Sequence, residues 1–120
     1  NPDLAGYVMA NYQNVTPKRL GQAAITTSYA TAYTVVAGMR SYLKQLDICN
    51  TTASSINVYV HIVPESGSAT TSNALFYATV VPGASLLQWT GVQILMPGDT
   101  LQFKGSAAGL TVTVSGGESV

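Results

Sequence analysis

The chain is predicted to be an all-β protein: two antiparallel sheets of about eight strands packed face to face as a β-sandwich, jelly-roll or immunoglobulin-like, with an extended N-terminal arm. Three observations predict this. Apolar and polar residues alternate with a period of two over much of the chain, most cleanly in Ile56 to Val63, where Ile56, Val58, Val60 and Ile62 fall on one side and Asn57, Tyr59 and His61 on the other. Candidate strands recur at the spacing of roughly 8 to 12 residues typical of sandwiches and barrels. No segment carries helical periodicity of useful length. Spacing alone does not choose between the two kinds of connection.

Asn1 to Gln13 lacks the basic start and long apolar run of a secretory signal. Met9 followed by Ala10 resembles a natural start of translation, so residues 1–8 are an expression remnant, an upstream extension or what processing leaves. Residues 1–17 are assigned to an arm that docks on a neighbour and residues 18–120 to a single sandwich domain. Lys18 to Ile25 is a first strand in which Gly21 marks a bulge or a close approach. Tyr29 to Val36, rich in Tyr, Thr and Val, is the second. Ala37-Gly38 then reads as a hairpin turn into a strand starting at Met39 or Arg40.

The stretch from Arg40 to Val63 organises the rest: two long strands joined by the polar loop Asn50 to Ser55. Strict alternation in the first would put Tyr42, Leu46 and Ile48 on one face with Lys44, and Leu43 and Cys49 on the other with Gln45 and Asp47. That mixture predicts a bulge near Gln45 or a strand covered on both sides. Pro64 to Ser72 is a small-residue loop of the kind that carries partner contacts. Asn73 to Val81 is apolar on both faces and reads as an interior strand or one covered by a neighbour. Pro82-Gly83 and Pro97-Gly98 bracket a strand bent or broken at Gly91, and both have the residues a type II turn selects. Leu101 and Phe103, then Leu110, Val112 and Val114, point inward from the last two strands, and Gly105 to Gly109 is read as a hairpin loop between them.

Length and charge bound the function. A chain of 120 residues is one domain by the usual prior, and a globule of this size buries about two-thirds of its unfolded surface. Charged residues are 8% of the chain, against roughly 25% in an average soluble domain. A surface of Ser, Thr, Asn, Gln and Gly loses little on desolvation and suits burial against neighbours, although a neutral β domain without partners has the same composition. Net charge is zero with five scattered basic residues, too thin a field for nucleic acid. No apolar run approaches the length that spans a bilayer, so neither nucleic acid nor membrane is expected as a partner.

The chemistry-bearing side chains are few. Cys49 is alone, which excludes an intrachain disulfide and a cysteine cage for metal; it reads as a small buried hydrophobe. His61 could serve as its base, because both are read near the ends of neighbouring strands, but no third group orients such a pair. As a metal ligand His61 lacks neighbours, so it reads as a polar side chain on a sheet face. Asp3, Asp47, Glu65, Asp99 and Glu118 contain no pair spaced for acid/base work, and Asp99 is explained by its turn. Gly105 to Gly109 has neither the Lys nor the helix of a phosphate cradle. Asn14-Val15-Thr16 and Asn50-Thr51-Thr52 match the glycosylation pattern only by chance. No catalytic residue, cofactor, metal or small-molecule substrate is expected.

Seven Tyr and Trp89 could form a sugar-stacking platform or anchor protein interfaces. Tyr7 and Tyr12 on the arm favour the interface, because the loops, where a sugar module gathers its aromatics, have none.

The successions TAYTVVAGMRSYLKQLDICNTTAS, VYVHIVPESGSATTSNAL and PGDTLQFKGSAAGLTVTVSGGE resemble a family of small β-sandwich virion structural proteins of tailed bacteriophages, of the capsid cement, decoration or tail-associated type. The shared pattern covers about Leu20 to Glu118: YTVPAG, a basic residue, an LK strand, CN before Ser/Thr, an IVP strand end, a Gly/Ser loop into NAL, a GDT turn and a VTVSG ending. Val36 stands where the pattern has Pro, and Pro97 where a small or acidic residue is common; neither alters the strand plan. The resemblance rests on turn and core residues and implies a virion structural role with no catalytic residues to carry over. The expected function is an auxiliary capsid cement or decoration protein, localised to the virion after assembly in the host cytoplasm. Its partners are the major capsid protein, copies of itself as a homo-oligomer, or both. Tyr7, Tyr12, Arg19, Tyr59 and His61 are the expected contact residues. The alternatives are a tail, neck or fibre-associated virion protein and, from another class, a glycan-binding host-adsorption module.

Overall fold

The computed structural model describes residues 15–120. Eight strands, β1 (Thr16–Ile25), β2 (Ala30–Thr34), β3 (Arg40–Asn50), β4 (Ile56–Val63), β5 (Ala74–Val81), β6 (Leu86–Leu95), β7 (Thr100–Gly105) and β8 (Leu110–Ser119), form two four-stranded sheets. One sheet, A, has the order β1-β8-β3-β6 and the other, B, the order β2-β7-β4-β5. First pairs with last, second with seventh, third with sixth and fourth with fifth, all antiparallel. This is one long hairpin, tipped at the β4–β5 connection, that has rolled until β3 also pairs with β8 and β4 with β7. The all-β sandwich is therefore a jelly roll, the first of the two expected connectivities.

Every connection except β4–β5 crosses from one sheet to the other. Three sequence expectations change as a result. Gly38, at φ +79°, makes the expected tight turn, with Met39 N–H donating to the Val36 carbonyl at 3.1 Å, but it lifts the chain from sheet B to sheet A and forms no hairpin. Gly105 to Gly109 likewise joins β7 in sheet B to β8 in sheet A. The strands flanking Asn50 to Ser55 lie in opposite sheets, so Cys49 and His61 are not on neighbouring strands. A turn signal specifies that the chain reverses; it does not specify whether the next strand pairs beside the last or packs across from it.

The mixed faces of β3 resolve as a bulge. Register slips between Leu43 and Gln45 against both neighbours, so Lys44 is the extra residue relative to β8, and the strand changes parity there. Ser41 and Leu43 point inward before the slip; Leu46, Ile48 and Asn50 point inward after it. A matching slip between Arg19 and Gly21 frees Leu20 in β1, and an extra residue in β6 falls between Thr90 and Gln93, so the irregularity crosses the whole of sheet A. Gly21 satisfies both of its readings: it follows the bulge, and a Cβ there would stand 2.8 Å from the Ala32 carbonyl of β2. Strand β1 begins at Thr16, two residues before the expected Lys18, and β5 is an edge strand of sheet B, not an interior one.

The core lies between the sheets: Leu43, Leu46 and Ile48 of β3 and Val112 and Val114 of β8 face Val58 and Val60 of β4 and Leu101 and Phe103 of β7. Each fully buried side chain contributes about 1.5 to 3 kcal/mol. Of the two Pro-Gly turns, Pro97-Gly98 is type II as expected, with Gly98 at φ +84° and Asp99 N–H donating to the Met96 carbonyl at 3.0 Å. At Pro82-Gly83 the left-handed residue is Ala84, at φ +52°. Gly83 is required there for another reason, since any Cβ would strike the Ala53 backbone.

One end of the sandwich is closed by a polar cluster. The Tyr33 hydroxyl bridges Ser41 Oγ and the Glu118 carboxylate, and Lys18 Nζ donates to Glu118 Oε1 at 3.0 Å; Tyr33, Ser41 and Glu118 are all buried. These two donors, Tyr33 first, hold the Glu118 carboxyl below its ordinary value of 4.5 against the opposing effect of desolvation. Burial and the bond to Glu118 push the Tyr33 phenol up to about 12. A lowered carboxyl stabilises the fold above its unfolded value and loses that contribution as the pH falls through the folded one. The urea midpoint is therefore expected to fall below pH 4.5, with a shallower acid limb in Glu118→Gln. An acid limb unchanged by that substitution would remove Glu118 from the account. On the basic side the raised phenol contributes fully below 10.0 and loses its contribution as the pH climbs towards 12.

Candidate functional site

The outer face of sheet B carries a row of side chains built by strand register. Tyr59 of β4 lies directly opposite Lys104 of β7; Tyr29, just before β2, flanks Lys104 on the other side, and Tyr77 of the edge strand β5 follows Tyr59. Lys104 Nζ sits 4.8 Å from the Tyr29 ring centroid and 4.6 Å from that of Tyr59, so one ammonium bridges two aromatic faces. Tyr59 and Tyr77 meet edge to face with centroids 5.1 Å apart. Such pairs add about 0.5 to 1.5 kcal/mol beyond their buried area. Tyr77 is 57% exposed and Tyr29 38%, so the row is held in place yet open to a partner.

Behind the row stands His61, only 1% exposed. Its Nδ1 lies 2.8 Å from Asn73 Oδ1, and its Nε2 3.0 Å from the Tyr29 hydroxyl. Because an amide oxygen only accepts, Nδ1 carries the hydrogen and Nε2 accepts from Tyr29. Asn73 is fixed in turn by Thr70 N–H donating to its Oδ1 and by its own amide donating to the Ser68 carbonyl, both in the β4–β5 loop. The histidine thus anchors Tyr29 and the loop; its ring is not on the surface that a partner would touch. Desolvation, and after it the neighbouring Tyr77 and Tyr59 phenols, raise the Tyr29 phenol above its ordinary range.

The expected contact residues do not form one patch. Tyr59 and His61 belong to the sheet B face, whereas Arg19, paired with Ser115 of β8, is on the outer face of sheet A. Tyr7 and Tyr12 lie outside the described residues. On the sheet A face a shallow groove of about 510 Å³ runs over Val15, Pro17, Tyr42, Lys44 and Gly117. Tyr29, Tyr77 and Lys104 were not singled out from sequence. Tyr77 could have been found, since it sits on an alternating strand; the pairing of Tyr29 and Tyr59 through Lys104 depends on which strands are neighbours.

Among the described residues no group of three or more His, Cys, Asp and Glu could hold a metal ion. The acids are dispersed: Asp47 accepts from Gln45 and Gln88, Asp99 caps its own turn by accepting from Met96 N–H at 2.8 Å, and Glu118 is in the buried cluster. No helix among the described residues is long and apolar enough to cross a membrane. Asn50 donates both amide hydrogens to backbone carbonyls inside the fold and is 1% exposed, so it is not available as a sugar acceptor.

No protein-family model and no curated protein sequence matches the chain. Among solved structures it is similar to that of infectious bursal disease virus, Gx strain, at 12% identity and a TM-score of 0.52, over 88% of this chain and 32% of that one. The Gt strain of the same virus aligns at 11% identity and 0.44, over 87% and 30%. The infectious bursal disease virus VP2 subviral particle aligns at 11% and 0.44, over 87% and 31%. The chain spans about a third of each of these proteins. At this identity the likeness is one of fold.

Proposed function

We propose that this chain is a structural protein of a virus particle, and specifically an auxiliary protein that cements or decorates a bacteriophage shell by protein–protein contact. The observation that carries the reading is the braced row Tyr29, Lys104, Tyr59 and Tyr77 on the outer face of sheet B. Tyrosines at low side-chain entropy, with one shared cation and no carboxylate among them, suit burial against another protein, where aromatic anchors concentrate binding energy. Several further features support the reading: the charge-poor composition, the fold likeness to a solved viral structure, and the motif resemblance to tailed-phage virion proteins. The partners are the major capsid protein, sister copies, or both, and the arm expected over residues 1–17, whose last two residues belong to β1, extends the contact. Many weak, symmetric contacts then sum to a stiffer particle.

A glycan module would need free ring faces for sugars to stack on. Here one face each of Tyr29 and Tyr59 is turned to the Lys104 ammonium. The test is co-sedimentation with particles of the phage that encodes the chain. Tyr59→Ala with Tyr77→Ala is expected to weaken retention by about tenfold or more, while far-ultraviolet circular dichroism stays unchanged. Removal of residues 1–14 is expected to weaken it further. Full retention of both variants would overturn the reading. Copies per particle near the number of major shell subunits are expected for a cement protein, and a handful of copies would point to the tail or neck.

A further inference from the structure

We infer that two copies of this chain pair through the edge strand β6, antiparallel about a twofold axis, joining two A sheets into one of eight strands. The two sheets leave four edges: β1 and β6 in sheet A, β2 and β5 in sheet B. An edge strand presents unpaired backbone donors and acceptors, and proteins that must not pair there blunt them with charge, proline, bulges or shortness. Three of these edges are blunted in such ways. Strand β1 carries Pro17, Lys18 and Arg19, β2 has only 5 residues, and β5 slips register twice against β4 with Ala78 at φ +52°.

Strand β6 is different. It is 10 residues long and has no proline and no charged residue. Its one irregularity lies between Thr90 and Gln93, which leaves Leu86 to Thr90 in unbroken register against β3. Large apolar side chains are more numerous along this edge than along the others: Leu86, Val92, Ile94 and Met96 are 47 to 56% exposed, whereas β5 exposes two, Tyr77 and Val80. They are four of the ten large hydrophobics exposed among the described residues, and they sit on β6 and the residue after it.

The occupant that fits is a second β6. About a twofold axis near Gln88, each residue meets its own counterpart or that of a near neighbour, so any charge on the strand would face a like charge. The absence of charge on β6 makes self-pairing free of that repulsion. The nearest acid is Asp47, one strand back and hydrogen-bonded to Gln88 at 2.9 Å. Its counterpart across the axis would be three strand spacings away, roughly 14 Å, beyond the screening length of about 8 Å at physiological salt. The outward row Leu86, Gln88 and Thr90 would place leucine against threonine on either side of a central glutamine pair.

The pairing concerns the purified chain and does not depend on the shell reading. Sedimentation velocity over a concentration series is expected to give twice the 12.5 kDa chain mass at the upper end. Leu86→Lys with Thr90→Lys, both at exposed positions, is expected to raise the dissociation constant by about tenfold or more with an unchanged melting temperature. Val80→Lys on the β5 edge is expected to leave the dimer intact. If the double lysine variant fails to fold, oxidative cross-linking of Gln88→Cys in a Cys49→Ser background decides: residues opposed across an antiparallel pair are within disulfide reach, so a covalent dimer is expected. A wild-type monomer at every concentration, a dimer indifferent to the lysines, or no Gln88→Cys cross-link would overturn the pairing. A monomer that still binds particles would refute it while leaving the shell reading standing.

Discussion

Replacing Asn50 with aspartate is expected to cost about 3 to 5 kcal/mol, a large share of the roughly 5 to 15 kcal/mol that holds a domain of this size together. Asn50 is the last residue of β3, and its side chain is 1% exposed. Its amide nitrogen donates to the Ser54 carbonyl at 2.7 Å and the Val81 carbonyl at 3.0 Å, and its oxygen accepts from Thr52 N–H at 2.9 Å and Thr52 Oγ at 2.7 Å. These bonds fold the β3–β4 loop and tie it to the end of β5. Two adjacent bonds extend the junction: Ala84 N–H donates to the Thr52 carbonyl and Thr51 N–H to the Gly109 carbonyl, linking the β5–β6 and β7–β8 connections to the same loop. Three sheet-to-sheet crossings therefore meet at the loop that this amide holds.

Aspartate keeps the shape and the acceptor but loses both donors. Two backbone carbonyls would then face a buried carboxylate, which combines lost hydrogen bonds with electrostatic repulsion. Asn50→Ala removes the bonds without adding a charge and is expected to cost about 2 to 4 kcal/mol. Equilibrium urea unfolding of the two variants measures both values. A loss under about 1 kcal/mol for the aspartate, the worth of a single ordinary hydrogen bond, would show that the loop holds its form without this side chain.

Gly116→Ala is expected to be comparably damaging, at about 3 kcal/mol or more. Gly116 of β8 pairs with Leu43 of β3 at the row of bulges across sheet A. A Cβ there would overlap the Tyr42 carbonyl oxygen and press on Leu20 Cδ1 at 3.2 Å. The first obstacle is backbone in a central strand, so no rotamer change relieves it. Gly38→Ala is the informative comparison. Its φ of +79° disfavours a side chain, but nothing lies within 4 Å, and a penalty of about 1 kcal/mol is expected. Equal effects of the two substitutions on the urea midpoint would mean that conformational preference, and not steric overlap, governs Gly116.

The candidate site was legible only in fragments. Tyr59 and His61 fall on one face because β4 alternates without interruption, and the structure keeps them on the outer side of sheet B. What periodicity could not convey is depth. His61 shares Tyr59's face but lies beneath Tyr29 and against Asn73, and both of those come from other parts of the chain. Lys104 reads from sequence as one of five scattered cations; it becomes the bridge between two aromatic rings only because β7 is inserted between β2 and β4. Arg19 illustrates the opposite outcome, a plausible contact residue carried to the far side of the sandwich.

The amino-acid sequence by itself determined that this is a two-layered β protein, where most strands run, that β3 must either bulge near Gln45 or be covered on both sides, and which residues of β4, β7 and β8 face inward. Those features are local: alternation, turn chemistry and the misfit around Lys44 act over a few neighbouring residues. Only the tertiary structure decided that seven strands pair or pack with partners distant in sequence, that Ala37-Gly38 and Gly105 to Gly109 are crossings and not hairpins, and that β5 and β6 are edges. A strand's inward side chains bury equally well against several possible partners, so its neighbours are chosen by the packing of the whole core and by how the long hairpin rolls.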